Sequence, residues 1–251
     1  MYDAAAAEWI KIRSLRSTPL LLAAATLVTV ATGLAFCLLI GPEFRRSAPV
    51  DRAAFDPVGL SLAGMQLGQL GLVVLAVLAV GSEFATGMIR ASLAAVPRRV
   101  AFLTAKFALL AAIGLVWGAV TGVLSLLVGS WALDAELGAV PVSVLVRTVA
   151  GAGVYTALIT VCAAAVAFLL RRPVAALGLL LPFFLVVSSM PAASSRLRPL
   201  ARFMPDRAGL RLMQVHQEAG DLSPSTGGLV LLLWAATAVA VASAAFLRKD
   251  V

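Results

Sequence analysis

Glu83, Thr86, Gly87 and Arg90 lie in the stretch GSEFATGMIRASLAAVPRR, residues 81–99, between two long apolar runs. At about 100° per residue these four fall on one arc of a helical wheel, and Phe84, Met88, Ile89, Leu93 and Val96 fall on the other side. The chemistry open to such a stripe is docking, not catalysis. A carboxylate and a guanidinium two turns apart would face water or a partner from a short amphipathic helix, which Pro97 ends. Arg98 and Arg99 then meet anionic headgroups. Lys106, near the start of the next run, is expected to snorkel to the same surface. A second polar pair, Gln66 and Gln69, stands one turn apart inside the apolar segment LAGMQLGQLG. Amides in lipid are costly unless partnered. The pair is either a polar patch on a substrate path or subunit seam, or an ordinary interhelical hydrogen bond.

Groups for enzymatic chemistry are missing. No G-x-x-x-x-G-K-[ST] occurs, and indeed no Gly-Lys pair, so this chain has no P-loop for ATP. No H-E-x-x-H occurs, and His216 is the only histidine, in a loop where solvation is its ordinary state. No Asp or Glu falls mid-span, where ion-coupled transporters and metal- or carboxylate-based enzymes place them. Ser61, Ser125, Ser188 and Ser189 have no His or Lys base in reach by sequence, so they read as packing hydroxyls. Cys37 and Cys162 lie in apolar runs as small packing residues, with no disulfide framework. The expectation is a chain with no catalytic, cofactor-binding or metal-binding residue of its own.

The elements that position these residues are membrane spans. Of the 251 residues, 61% are apolar and 13% charged, and mean hydropathy is +1.01. Ordinary soluble domains carry roughly 45–50% apolar and about 25% charged residues. The net charge of +8 comes from basic residues between apolar runs, which fits membrane orientation better than nucleic acid. Six runs approach the roughly 20 residues a spanning helix needs: 19–40, 58–80, 100–133, 148–170, 174–190 and 228–247. The fifth is short and broken by Pro182. With the N-terminus inside, eleven basic residues fall on short segments of one side and nine on longer loops of the other, so both termini are expected in the cytoplasm. LAFC, residues 34–37, looks like a lipoprotein cleavage box, but Phe36 is too large and the run too long for a signal core. No repeat or soluble domain is apparent, which leaves a single transmembrane domain over 1–251.

Gly114, Gly118 and Gly122 recur every four residues, as do Gly64 and Gly68, and allow close helix approach either within one bundle or at a dimer seam. The loop between the fifth and sixth runs, broken by Pro199 and Pro205, suits short interfacial helices. These either cap a transport path or lie on the surface.

The pattern Glu83-x-x-x-Gly87-x-x-Arg90-x-x-Leu93-x-x-x-Pro97-x-Arg99, with Lys106 seven residues on, resembles the ABC-2 type permeases of bacterial ABC transporters. The start, EWIKIRSLRSTP, is similar to their N-terminal interfacial helix, and the span number, loop lengths and Pro-broken fifth span agree. Met88 departs from the family, which often has Thr or Ser after the glycine. The resemblance implies an all-α integral membrane protein of six spans with a cytoplasmic coupling helix and short extracellular helices before the last span. It implies a multi-pass subunit of the bacterial cell membrane that is not catalytic alone. A separate P-loop ATPase would bind ATP and magnesium and engage Glu83, Thr86, Gly87 and Arg90. Two permeases, as a homodimer or heterodimer, would complete the pathway in the lipid bilayer. The expected function is export of a small or amphipathic substrate, with antibiotics among the candidates. Two rivals stand beside it: a non-transport membrane protein that anchors or regulates a partner, and an intramembrane enzyme with unusual residues.

Overall fold

A computed structural model describes residues 9–11, 17–46, 56–89, 99–133, 140–188, 198–215 and 220–248. Among the described residues every regular element is helical. Five helices are long and apolar enough to cross a membrane: α1 (Ser17–Arg46), α3 (Met65–Ala85), α4 (Arg99–Ala132), α5 (Val142–Leu170) and α9 (Pro224–Arg248). The short α2 (Pro57–Ser61) precedes α3, and α7 (Arg198–Ala201) and α8 (Pro205–Leu210) precede α9. The fifth apolar run becomes α6 (Pro173–Pro182), which passes into a π turn at Phe183–Val187. Proline at 182 supplies no N–H to the ladder, so the local hydrogen bonding changes there. This run stays shorter than the other five helices.

The second run does not form one helix from residue 58. Asp56 caps α2 by accepting a bond from the Gly59 amide at 2.9 Å. The chain then turns through Leu62–Gly64 before α3 begins. Gly64 is needed because a Cβ would run into the backbone carbonyl of Thr29 on α1. At its other end α3 runs past Val80 to Ala85, so Glu83 belongs to this long helix and not to a separate amphipathic one. Gly87, at φ +70°, ends it in the left-handed conformation that glycine adopts without penalty. Met88 and Ile89 are helical again, and residues 90–98 lie outside the described part.

α5 is the most enclosed span, with Tyr155, Ile159, Ala163 and Ala164 fully buried. α4 lies along it through Gly114 and Gly118: a Cβ on Gly114 would approach Ala157 Cα at 2.9 Å, and one on Gly118 would approach the Ala152 carbonyl at 2.6 Å. Gly68 meets Thr29 on α1. Both small-residue rows therefore serve packing within this bundle. Leu20, Leu27, Leu39, Val116, Leu127 and Leu233 point outward, as a lipid-facing surface requires.

Candidate functional sites at the two ends of the bundle

The first site sits where α3 ends and α4 begins. Glu83 is 2% exposed and Lys106 is 2% exposed. Lys106 Nζ lies 2.7 Å from Glu83 Oε2, an ion contact without aligned hydrogen-bond geometry. Lys11 Nζ donates to Glu83 Oε1 at 2.9 Å. Two sequence expectations are overturned here. Glu83 does not face water or a partner, and Lys106 does not snorkel to the headgroups. The physical reason is the extra turn of α3, which carries Glu83 inward against the first turns of α4. Each charge needs the other, because removing one partner of a buried pair costs about 3–5 kcal/mol.

Aromatic rings close around this cluster. Lys106 Nζ stands 5.2 Å from the Phe102 centroid. Phe168 meets Phe84 and Phe246 edge-on at 5.7 and 5.8 Å. Arg171, at the end of α5, lies over Phe84 at 5.7 Å. Lys11, Glu83, Lys106 and Arg171 thus share one end of the bundle, three of them basic residues that the charge distribution puts on one side.

The other expected contact residues separate. Thr86 and Gly87 are exposed, and Thr86 Oγ1 donates to Ser82 O at 2.8 Å. Met88 is exposed beside them and Ile89 is buried. Arg99 opens α4, half-buried. Arg90 and Arg98 lie outside the described residues.

At the opposite end, Gln66 and Gln69 have different surroundings. Gln69 is fully buried. Its Oε1 accepts from the Tyr155 hydroxyl at 2.5 Å and its Nε2 donates to Gln66 O at 3.0 Å. That is an interhelical bond between α3 and α5. Gln66 is half-buried and lines a cavity of about 510 Å³. The other walls include Thr32 and Phe36 of α1, Asp56, and Met213 and Gln214 after α8.

Sequence reasoning missed Asp206, placed in the loop before the last span. α8 is not laid on the surface but inserted between α5 and α9. Gly209 touches the Tyr155 ring, Gly151 of α5 touches the Leu212 carbonyl, and Gly227 of α9 touches the Ala208 carbonyl. Asp206 is consequently 0% exposed, and Ser188 Oγ donates to its Oδ2 at 2.6 Å. The sequence carries only an indirect signal of this insertion, the glycines at 151, 209 and 227 on the three surfaces that meet.

The fold and these two ends define an all-α membrane protein with a buried ion cluster at one end and, at the other, a cavity that Gln66 and Asp56 line among apolar side chains. No protein-family model and no curated protein matches the chain.

Proposed function

We propose that the chain is the membrane subunit of an ABC-2 type exporter, driven by a separate P-loop ATPase and paired with a second permease. In this reading α6 and its π turn are the sixth span, and the Lys106 end faces the cytoplasm. One observation carries it. The exposed turn Thr86–Gly87–Met88 hangs from the foot of α3, and the Lys11–Glu83–Lys106 cluster ties that foot to the N-terminal segment and to α4. A push on the turn would reach three elements at once through a buried, paired charge. The resemblance over residues 83–106 supports the same assignment, and a chain without a P-loop needs its ATPase from outside.

Glu83 itself is not the docking group, because it is occupied inside the bundle. The contact surface is the exposed pair Thr86 and Met88. The test starts from the adjacent reading frames: a P-loop ATPase found among them is co-expressed with this chain and the complex is captured by affinity. Thr86→Arg with Met88→Glu should lower ATPase capture at least tenfold while the permease unfolds at its usual temperature. Wild-type capture by the double variant would remove the coupling assignment.

A further inference from the structure

The cavity beside Gln66 has three properties that bear on what it holds. Its volume of about 510 Å³ lies in the range of pockets that take a drug-sized molecule, roughly 300–1,000 Å³. Much of its wall is apolar: Phe36, Leu60, Leu62, Leu67, Leu210 and Met213. Among its described lining residues one side chain is formally charged, the Asp56 carboxylate. In a chain of net charge +8 the sign of that group is informative.

Asp56 is built into the wall. Its Oδ1 is used by the Gly59 amide, and its Oδ2 makes no hydrogen bond among the described residues. Gly59 leaves room for the carboxylate, since a Cβ there would stand 2.6 Å from Oδ2. On the Gln214 side, Arg211 is already matched: it pairs with Asp221 and also donates to Gln214 Oε1 at 2.5 Å. Arg147 reaches the Gln214 carbonyl at 3.2 Å from the exposed face, where solvent and salt screen it. Phe36 adds a ring face of the kind that attracts cations.

The cavity also has an apolar approach. A groove of about 320 Å³ along α1, lined by Ala31, Thr32, Ala35, Phe36 and Leu39, shares Thr32 and Phe36 with it. Phe36 and Leu67 are 39% and 41% exposed. The groove on α1 thus adjoins the cavity at Thr32 and Phe36.

We propose that this cavity binds an organic monocation with a bulky apolar body, its charge set against Asp56 and its body against Phe36, Leu67 and Met213. Binding stands on the cavity alone. Naming this class as the exported substrate rests on the exporter reading given above.

Tetraphenylphosphonium is a suitable probe, and tetraphenylborate has the same shape with the opposite charge. Equilibrium dialysis of labelled tetraphenylphosphonium against the purified full chain in detergent should give saturable binding, and labelled tetraphenylborate, dialysed separately because the two ions pair with each other, should give none. Asp56→Asn should weaken it at least tenfold, which is about 1.4 kcal/mol or more. Asparagine caps a helix as well as aspartate does, so α2 keeps its start and the variant loses only the charge. Ala63→Phe, which fills the cavity and leaves Asp56 in place, should weaken binding to a similar degree. Absence of saturable tetraphenylphosphonium binding by the wild type, undiminished binding by both variants, or equally tight saturable binding of tetraphenylborate in its own dialysis would overturn the site. The ATPase capture experiment reads the other end of the molecule. Binding that depends on Asp56 in a chain that captures no ATPase would leave the site standing and remove the exporter. Normal capture with Asp56-independent binding would do the reverse.

Discussion

The carboxyl of Asp206 lies under the closed end of the bundle, with Ser188 Oγ 2.6 Å from Oδ2 and no aligned hydrogen bond to Oδ1. Ser188 has a single proton, yet Phe184 O is also in reach at 3.1 Å. Protonation of Asp206 would let the carboxyl donate to Ser188 instead and leave the hydroxyl free to donate to Phe184 O. Burial raises the Asp206 pKa above its ordinary value, against the opposing effects of the Ser188 bond and of Arg207. The native state therefore binds more protons than the unfolded chain once the pH passes the ordinary carboxylate value of about 3.9. The contribution of this group to stability is greatest below that value and falls as the pH rises to the raised native one. Asp206→Asn removes the titration and keeps an acceptor for Ser188. We expect it to unfold at a higher temperature than the wild type at pH 7, with the gap closing toward pH 4. Thermal unfolding in detergent across that range measures it. A variant less stable than the wild type at pH 7 would mean that the charged form is the one the fold prefers.

Helix contacts depend on which small residue meets which neighbour. Gly118 and Gly122 have the same identity and lie on the same face of α4, but their surroundings differ. A Cβ at 118 would collide with Thr156 Oγ1 and the Ala152 carbonyl, whereas at 122 the nearest atom is Ala152 Cβ at 3.4 Å. Backbone cannot yield as a flexible side chain can, so Gly118→Ala should force α4 and α5 apart at a cost of about 1–3 kcal/mol. Gly122→Ala should be neutral or slightly stabilising, because alanine favours helix over glycine by about 1 kcal/mol and the contact gives little. Thermal unfolding of the two variants side by side checks this. Equal losses would show that α4 is not pressed against α5 more closely at 118 than at 122.

For the molecule as a whole, the exporter reading fixes which end faces the cytoplasm. Ala85 stands exposed at the Lys106 end and Ser225 stands exposed at the start of α9. The two native cysteines, Cys37 and Cys162, are buried. A cysteine at Ser225 should react with an impermeant maleimide in intact cells, and one at Ala85 only after the cells are opened. The opposite pattern would invert the orientation and place the Thr86 turn out of reach of any cytoplasmic ATPase.

Long apolar runs, helix formation and the altered hydrogen bonding at Pro182 were legible in the sequence, because they depend on local hydropathy and on a missing N–H. So was the sharing of one end by Lys11, Glu83, Lys106 and Arg171, since residues that flank successive spans must alternate between two sides. The direction each polar side chain faces was not legible. A wheel drawn from Glu83 assumed a new helix there, although the glycine at 87 marked the stop of the old one. One further turn of α3 carried Glu83 from water into a pair with Lys106, a residue 23 positions away. Likewise, near Asp206 in the chain only Gly209 hints at burial. That was decided by α8 entering between α5 and α9, at contacts with Gly151 and Gly227 that are distant or separate in sequence. Composition and periodicity determine what a segment becomes, because those forces act over a few residues. Which groups meet is decided by tertiary packing, since desolvation and ion pairing are set by neighbours that local sequence does not specify.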